Sequence, residues 1–215
     1  MSQTSPPTLL RIDSSARVDG SHSRQLADWA QAAWQAAHPG GELIRRDLTT
    51  QPIGHIQAAT IQGFYTPDAQ MTPETRAALA QSDELIAELM GAHTLLISAP
   101  IYNFSVPSAL KAWIDQVVRI NRTFRFDGQG FEGLVKQPRV VLALAYGASG
   151  YAAGPMAGLD HLRPYLTSLF QFLGMTDVRV LTAEATTADA NTVSSSLAAA
   201  KAQVHTLFAQ EATVT

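Results

Sequence analysis

Five short apolar runs are separated by stretches of helical period, and this alternation limits the fold more than any other feature of the chain. The runs are Thr8–Asp13, Glu42–Leu48, Thr94–Ser98, Arg139–Ala145 and Thr176–Thr182. Between them, Leu26, Ala30, Ala33 and Ala37 recur at helical spacing, as do Leu79, Ile86 and Leu89, then Leu110, Ile114, Val117 and Val118. A fourth stretch, Leu159 to Leu173, is expected to be helical despite Pro164, and Asp189 is placed to start a last helix burying Val193, Leu197, Ala200, Val204 and Phe208. Strands that alternate with helices cannot pair as hairpins. They form a mostly parallel, doubly wound α/β sheet with helices on both faces.

With 215 residues, 46% of them hydrophobic and 15% charged, the chain reads as a single domain over residues 1–215 with a sizeable core. Residues 1–7 and 211–215 are expected to be flexible. The charge of −3 and the lack of a basic stripe argue against nucleic acid as a partner. No cysteine is present, which excludes disulfides and thiolate chemistry. His38, His55, His93 and His205 show no metal-ligand spacing with carboxylates, so no metal site is expected. Met1 to Pro7 lacks the pattern of a signal peptide, and no apolar run reaches membrane-spanning length. The expected setting is the cytoplasm, away from membranes.

Three loops carry chemistry. The third run empties into Ala99-Pro100-Ile101-Tyr102-Asn103-Phe104-Ser105-Val106-Pro107. Two aromatics, an amide and a hydroxyl between stiffening prolines suit a flat, heteroatom-rich ring such as a flavin; loop aromatics that simply cap a core would look similar. The first run ends in Ser14-Ser15 and is followed by Gly20-Ser21-His22-Ser23 before the first helix. Ser21 or Ser23 can cap that helix. Four serines exceed what a cap needs, and a helix start rich in hydroxyls suits a phosphate. This is neither the glycine-rich dinucleotide fingerprint nor a Walker loop. The fourth run ends in Tyr146-Gly147-Ala148-Ser149-Gly150, where glycine lets backbone approach a ligand. In a flavodoxin-like strand order, 2-1-3-4-5, all three loops share one rim, with the switch point between strands one and three. A phosphate at one loop and a ring between the other two make one ligand, a mononucleotide.

Two connections stand apart. Thr49 to Met71 shows no clear period, and Phe64-Tyr65 within it is a candidate to fold over a pocket or against a partner. Asn121 to Lys136 reads as a β-hairpin-type projection.

Ser14-Ser15 with Ser21-His22-Ser23, Ser82 to Leu89, Ala99 to Phe104, Thr123-Phe124-Arg125, Glu132 to Val135 and Pro164-Tyr165-Leu166 occur in the order found in one family. On these stretches the chain resembles the FMN-dependent NADH:quinone oxidoreductases, or azoreductases, within the flavodoxin-like NAD(P)H quinone reductase group. The resemblance implies FMN as cofactor and NAD(P)H, with NADH favoured, as reductant. It implies two-electron, ping-pong reduction of quinones and reductive cleavage of aromatic azo bonds, by a homodimer. It implies that Ser15, Ser21, His22 and Ser23 hold the FMN phosphate, His22 through its backbone. Ile101, Tyr102, Asn103 and Phe104 would line the isoalloxazine, and Tyr146 and Gly147 would border its pyrimidine side. Phe126 and Phe172 are candidates for the walls of a substrate slot, and each is also compatible with ordinary core. The helix around Trp113 and the Asn121–Lys136 excursion are the candidate dimer contacts. No protein residue is expected to do the chemistry itself; Tyr146, Tyr151, His161 or water are the available proton donors. The chain departs from the family pattern at Ile101, often methionine there, and at Ala145-Tyr146-Gly147-Ala148, often Ser-Arg-Gly-Gly. The alternatives left open are a flavodoxin-type one-electron carrier, a flavin-binding regulatory module without turnover, and an FMN reductase that hands on free reduced flavin.

Overall fold

The computed structural model describes residues 6–136 and 138–209. Of the ends expected to be flexible, residues 1–5 and 211–215 lie outside the described residues. In chain order the elements are β1 (Thr8–Asp13), α1 (His22–Ala37), β2 (Glu42–Asp47), α2 (Ala58–Phe64), α3 (Pro73–Gly91), β3 (Thr94–Pro100) and α4 (Ser108–Val117). There follow β4 (Phe124–Phe126), β5 (Phe131–Gly133), β6 (Arg139–Ala145), α5 (Arg163–Phe172), β7 (Val178–Ala183) and α6 (Ala190–Ala209).

The main sheet has the order β2-β1-β3-β6-β7, and every pairing in it is parallel. Counted without the two hairpin strands, this is the flavodoxin-like order 2-1-3-4-5. Alternation along the strands decides what each face meets. Leu9, Leu96, Val141 and Leu181 point to one face and pack with Leu26, Trp34, Val204 and Phe208 of α1 and α6. Leu10, Ile12, Leu95, Ile97 and Leu142 point to the other and meet Leu89, Trp113 and Phe170 of α3, α4 and α5. Trp113 is fully buried within the chain and belongs to this core.

The edge strand β2 satisfies its charges locally. Arg46 donates to Glu88 at 2.6 Å and also pairs with Glu84, while Arg45 reaches Asp13. The hairpin β4–β5 projects from the sheet as a separate antiparallel pair. Its docking depends on Gly133: a Cβ there would lie 2.1 Å from the Leu173 carbonyl carbon.

The elements differ from the sequence reading by one or two residues at strand ends and in a few other places. The aperiodic stretch after β2 contains α2 and a short 3-10 turn at Asp68–Gln70. The fifth helix starts at Arg163 rather than Leu159, with a 3-10 turn at Ala157–Leu159 before it, because the Asp160 carboxylate caps at Leu162 and Arg163 and resets the start. The last strand begins at Val178 rather than Thr176. The two aromatics expected to act together separate: Phe64 lies under the Arg119 guanidinium, 5.2 Å from its ring centre, and Tyr65 is exposed.

Candidate functional site

At the carboxyl end of the sheet, the loops after β1, β3 and β6 meet around a cavity of ≈ 190 Å³. Ser15, Ser21, His22 and Ser23 line it from the first loop, Ile101 and Tyr102 from the second and Gly147 from the third. Arg17, Pro100, Ala145, Thr186 and Thr187 complete the wall, and no carboxylate is among the lining residues.

The first loop is held from below. The Ser14 hydroxyl and N–H both donate to the Ser98 carbonyl on β3, at 2.7 and 3.0 Å. Arg24, in the first turn of α1, donates to the Ser15 carbonyl at 2.9 Å and forks onto Asp47. Arg11 and Arg45 neutralise the fully buried Asp13 beneath. Above this base, Gly20 takes φ +65°, a turn that glycine makes without strain. Ser21 is the N-cap of α1: its hydroxyl accepts from the Arg24 N–H at 3.5 Å and stands 3.3 Å from the Ser23 hydroxyl. The N–H groups of His22 and Ser23, first in the helix, have no intrahelical acceptor by the geometry of a helix start. No acid occupies the first turn. Two hydroxyls, free amides and the positive end of α1 therefore converge, and they are the donors a phosphate requires.

The second loop is a tight turn. Tyr102 and Ser105 exchange both backbone hydrogen bonds at 3.0 Å, which puts Asn103 at φ 48° and Phe104 at φ 69°. Asparagine tolerates this region; phenylalanine does not adopt it readily, and such strain collects at binding sites. Tyr102 and Phe104 stay partly exposed. Tyr102 also lines a larger neighbouring cavity of ≈ 810 Å³, together with Asn103, His55, Lys111, His161 and Tyr165. Burial raises the Tyr165 phenol above its ordinary pKa.

The third loop presents backbone and hides its side chain. Tyr146 is buried, stacks on Tyr151 with ring centres 4.9 Å apart, and donates its hydroxyl to Asp160 at 3.1 Å. Burial, reinforced by the Asp160 charge, holds the phenol proton well above the ordinary tyrosine range. The Tyr146 hydroxyl is thus committed to Asp160, and the rim cavity is lined on this side by its neighbours Ala145 and Gly147. A Cβ on Gly147 would meet the Thr187 methyl at 3.4 Å, an ordinary contact, so the glycine is not required by packing.

A fourth segment was missed from the sequence. Thr186 and Thr187, after β7, donate through N–H and hydroxyl to the carbonyls of Tyr146 and Gly147. A Thr-Thr pair after an ordinary strand, with no glycine or aromatic, gave no signal beyond its position on the rim.

The remaining candidates lie elsewhere. Asn103 faces the larger cavity. Phe126 and Phe172 each pack against Phe131 on the hairpin side, with ring centres 5.1 and 5.7 Å apart, and line neither cavity. Among the described residues no group of three or more His, Asp or Glu is set to hold a metal ion. No described helix is long and apolar enough to cross a membrane.

Comparison with known proteins points one way. A family model described by its flavodoxin-like fold matches residues 7–208. An FMN-dependent NADH:quinone oxidoreductase of Xanthobacter autotrophicus is 53% identical over 174 residues, covering 80% of this chain and 84% of that protein. One from Nostoc punctiforme is 41% identical over 203 residues, covering 94% of this chain and 98% of that protein. Among solved structures, an FMN-dependent NADH-azoreductase of Bacillus anthracis in complex with FMN superposes with a TM-score of 0.84 over 95% of this chain and 99% of its own. At 21% identity that likeness speaks for the fold.

Proposed function

The chain belongs to the FMN-dependent NADH:quinone oxidoreductases of flavodoxin-like fold, and from that premise we infer how its own residues serve the reaction. It is an enzyme that uses FMN as cofactor and NADH as reductant. One observation carries the residue-level reading: the serine loop, the Ile101–Tyr102 turn and Gly147 line a single cavity.

The residues fit FMN. Ser21, Ser23 and the first amides of α1 would hold the phosphate, with Ser15 and the His22 backbone beside them. Ile101, Tyr102, Asn103 and Phe104 would line the ring from the β3 loop, and the backbone of Tyr146 and Gly147 would border it from the β6 loop. The rim cavity, at ≈ 190 Å³, is smaller than the ~300–1,000 Å³ of usual ligand pockets, and Tyr102 joins it to the larger cavity of ≈ 810 Å³, so the two together offer the space that FMN and an acceptor would need. What FMN supplies when bound is two-electron transfer from NADH to an acceptor. The chain supplies position. Tyr102 and Phe104 give flat apolar surface against which a quinone can stack, and aromatic azo compounds meet the same requirement. His55 and His161 line that space and can deliver protons to the acceptor.

The homodimer belongs to this proposal. The exposed Phe126 and Phe131 on the hairpin form an apolar patch that a second copy would cover.

The test is anaerobic. The protein is loaded with FMN, and the flavin band is followed on adding NADH, then a benzoquinone. Bleaching followed by full recovery is expected. Bound FMN that NADH does not bleach would favour a one-electron carrier, and absence of FMN uptake would overturn the reading of the cavity.

A further inference from the structure

The β6 and β3 loops, both of which the FMN reading assigns to the ring, are bonded to each other at their roots, where the Ile101 N–H donates to the Ala145 carbonyl at 2.9 Å. Beyond the roots, a second connection runs through a residue far from both loops in sequence. The Tyr146 hydroxyl donates to Asp160 Oδ2 at 3.1 Å. The other oxygen, Oδ1, accepts from the N–H groups of Leu162 and Arg163, each at 3.0 Å, and so fixes the start of α5. The next residue, His161, donates its backbone N–H to the Phe104 carbonyl at 2.9 Å and shares it, at 3.1 Å, with the Leu159 carbonyl of its own segment. Phe104 is the strained second residue of the β3-loop turn.

We propose that Asp160 is a positioning residue of the ring site, a clamp that sets the β6 loop against the β3 loop through the Tyr146 hydroxyl on one side and the His161 amide on the other. This rests on the FMN reading of the cavity. Three features favour a clamp over plain core packing. Asp160 is buried, and its carboxylate is met by three donors, so its place is fixed by hydrogen bonds. The Tyr146 backbone is already committed, its N–H to Ala183 and its carbonyl to Thr186, which leaves the side chain as the adjustable link. The Phe104 carbonyl belongs to a turn whose left-handed backbone needs outside support to persist.

The test uses Tyr146→Phe, which removes the hydroxyl and keeps the ring packed on Tyr151, beside Asp160→Asn and the double variant. FMN affinity is read by titrating apoprotein, and loop order by amide hydrogen exchange at His161. Loss of a buried hydrogen bond to a charged acceptor should weaken FMN binding roughly tenfold in Tyr146→Phe and speed exchange at the His161 amide. The double variant should be little worse than Asp160→Asn alone. Tyr146→Phe that binds FMN within twofold of the parent, with or without a lower melting temperature, would overturn the clamp. If the parent itself takes up no FMN, the cofactor reading falls. Exchange at His161 in apoprotein then decides the clamp alone: faster in Tyr146→Phe supports it, and unchanged overturns it.

Discussion

Arg24 holds Asp47 through two N–H groups, at 2.5 and 2.8 Å, and from the second of them also donates to the Ser15 carbonyl at 2.9 Å. One guanidinium thus joins the end of β2 to the loop assigned to the phosphate. Arg24→Ala should cost about 3 kcal/mol, because Asp13 and Asp47 both lose a partially buried cation, and should weaken FMN binding as well. Arg24→Lys keeps the charge without the fork, and should recover only part of either. Denaturant melts and FMN titration of both variants check this.

The same pair sets a pH dependence. The hydrogen bond from Arg24, opposed by burial, holds the Asp47 carboxyl below its ordinary range. A depressed folded-state value stabilises the fold above the unfolded value, and this is lost as pH falls through the folded one. The melting-temperature gap between the parent and Asp47→Asn should therefore be constant above pH of about 5 and shrink below pH of about 4. A gap that widened in acid would contradict the assignment.

Ser21 and Ser23 should separate capping from binding. Ser21→Ala loses the N-cap and should cost about 1 kcal/mol together with FMN affinity. Ser23→Ala should lower affinity with a smaller loss of stability. Comparing the thermal shift on adding FMN with the melting temperature of apoprotein distinguishes the two.

Gly147→Ala should fold as well as the parent, within about 0.5 kcal/mol, since its methyl meets Thr187 at ordinary contact distance. It should nevertheless bind FMN at least about tenfold more weakly, a loss of ~1.4 kcal/mol, by narrowing the cavity wall. Isothermal titration of the apoprotein is the measurement.

Gly133→Ala should do the reverse. Its methyl has no room against Leu173 and Gly174, so about 2–3 kcal/mol of overpacking strain is expected. The hairpin would lift from the end of α5, disturbing the contacts of Phe124 and Phe131 with Phe172. If the hairpin carries the dimer, sedimentation should show the variant dissociating at concentrations where the parent does not.

The sheet was legible because each apolar run is bounded by turn residues and followed by a helical period, and strand order follows once strands one and three flank the switch point. The serine loop and the Tyr-Asn-Phe turn were legible because their residue types exceed what a connector needs. The direction of the Tyr146 side chain was not. Its partner, Asp160, lies fourteen residues on, across a loop with no regular period, and nothing local says whether the ring faces solvent or core. Helix α2 escaped because seven residues with Gly63 among them carry too short a period to register. Thr186 and Thr187 escaped because their role is to hold other backbone groups, which depends on strand pairing rather than on residue type.

Glu184 sits at the end of β7 and accepts from the N–H groups of Gly150 and Ala152, at 2.8 and 2.6 Å. Paired amides in a glycine-bearing loop form a concavity that attracts anions. Here the chain fills it with a carboxylate of its own. With those amides satisfied and no acid in the first turn of α1, a phosphate brought to this end of the sheet would meet open donors at one of the two sites and a carboxylate at the other.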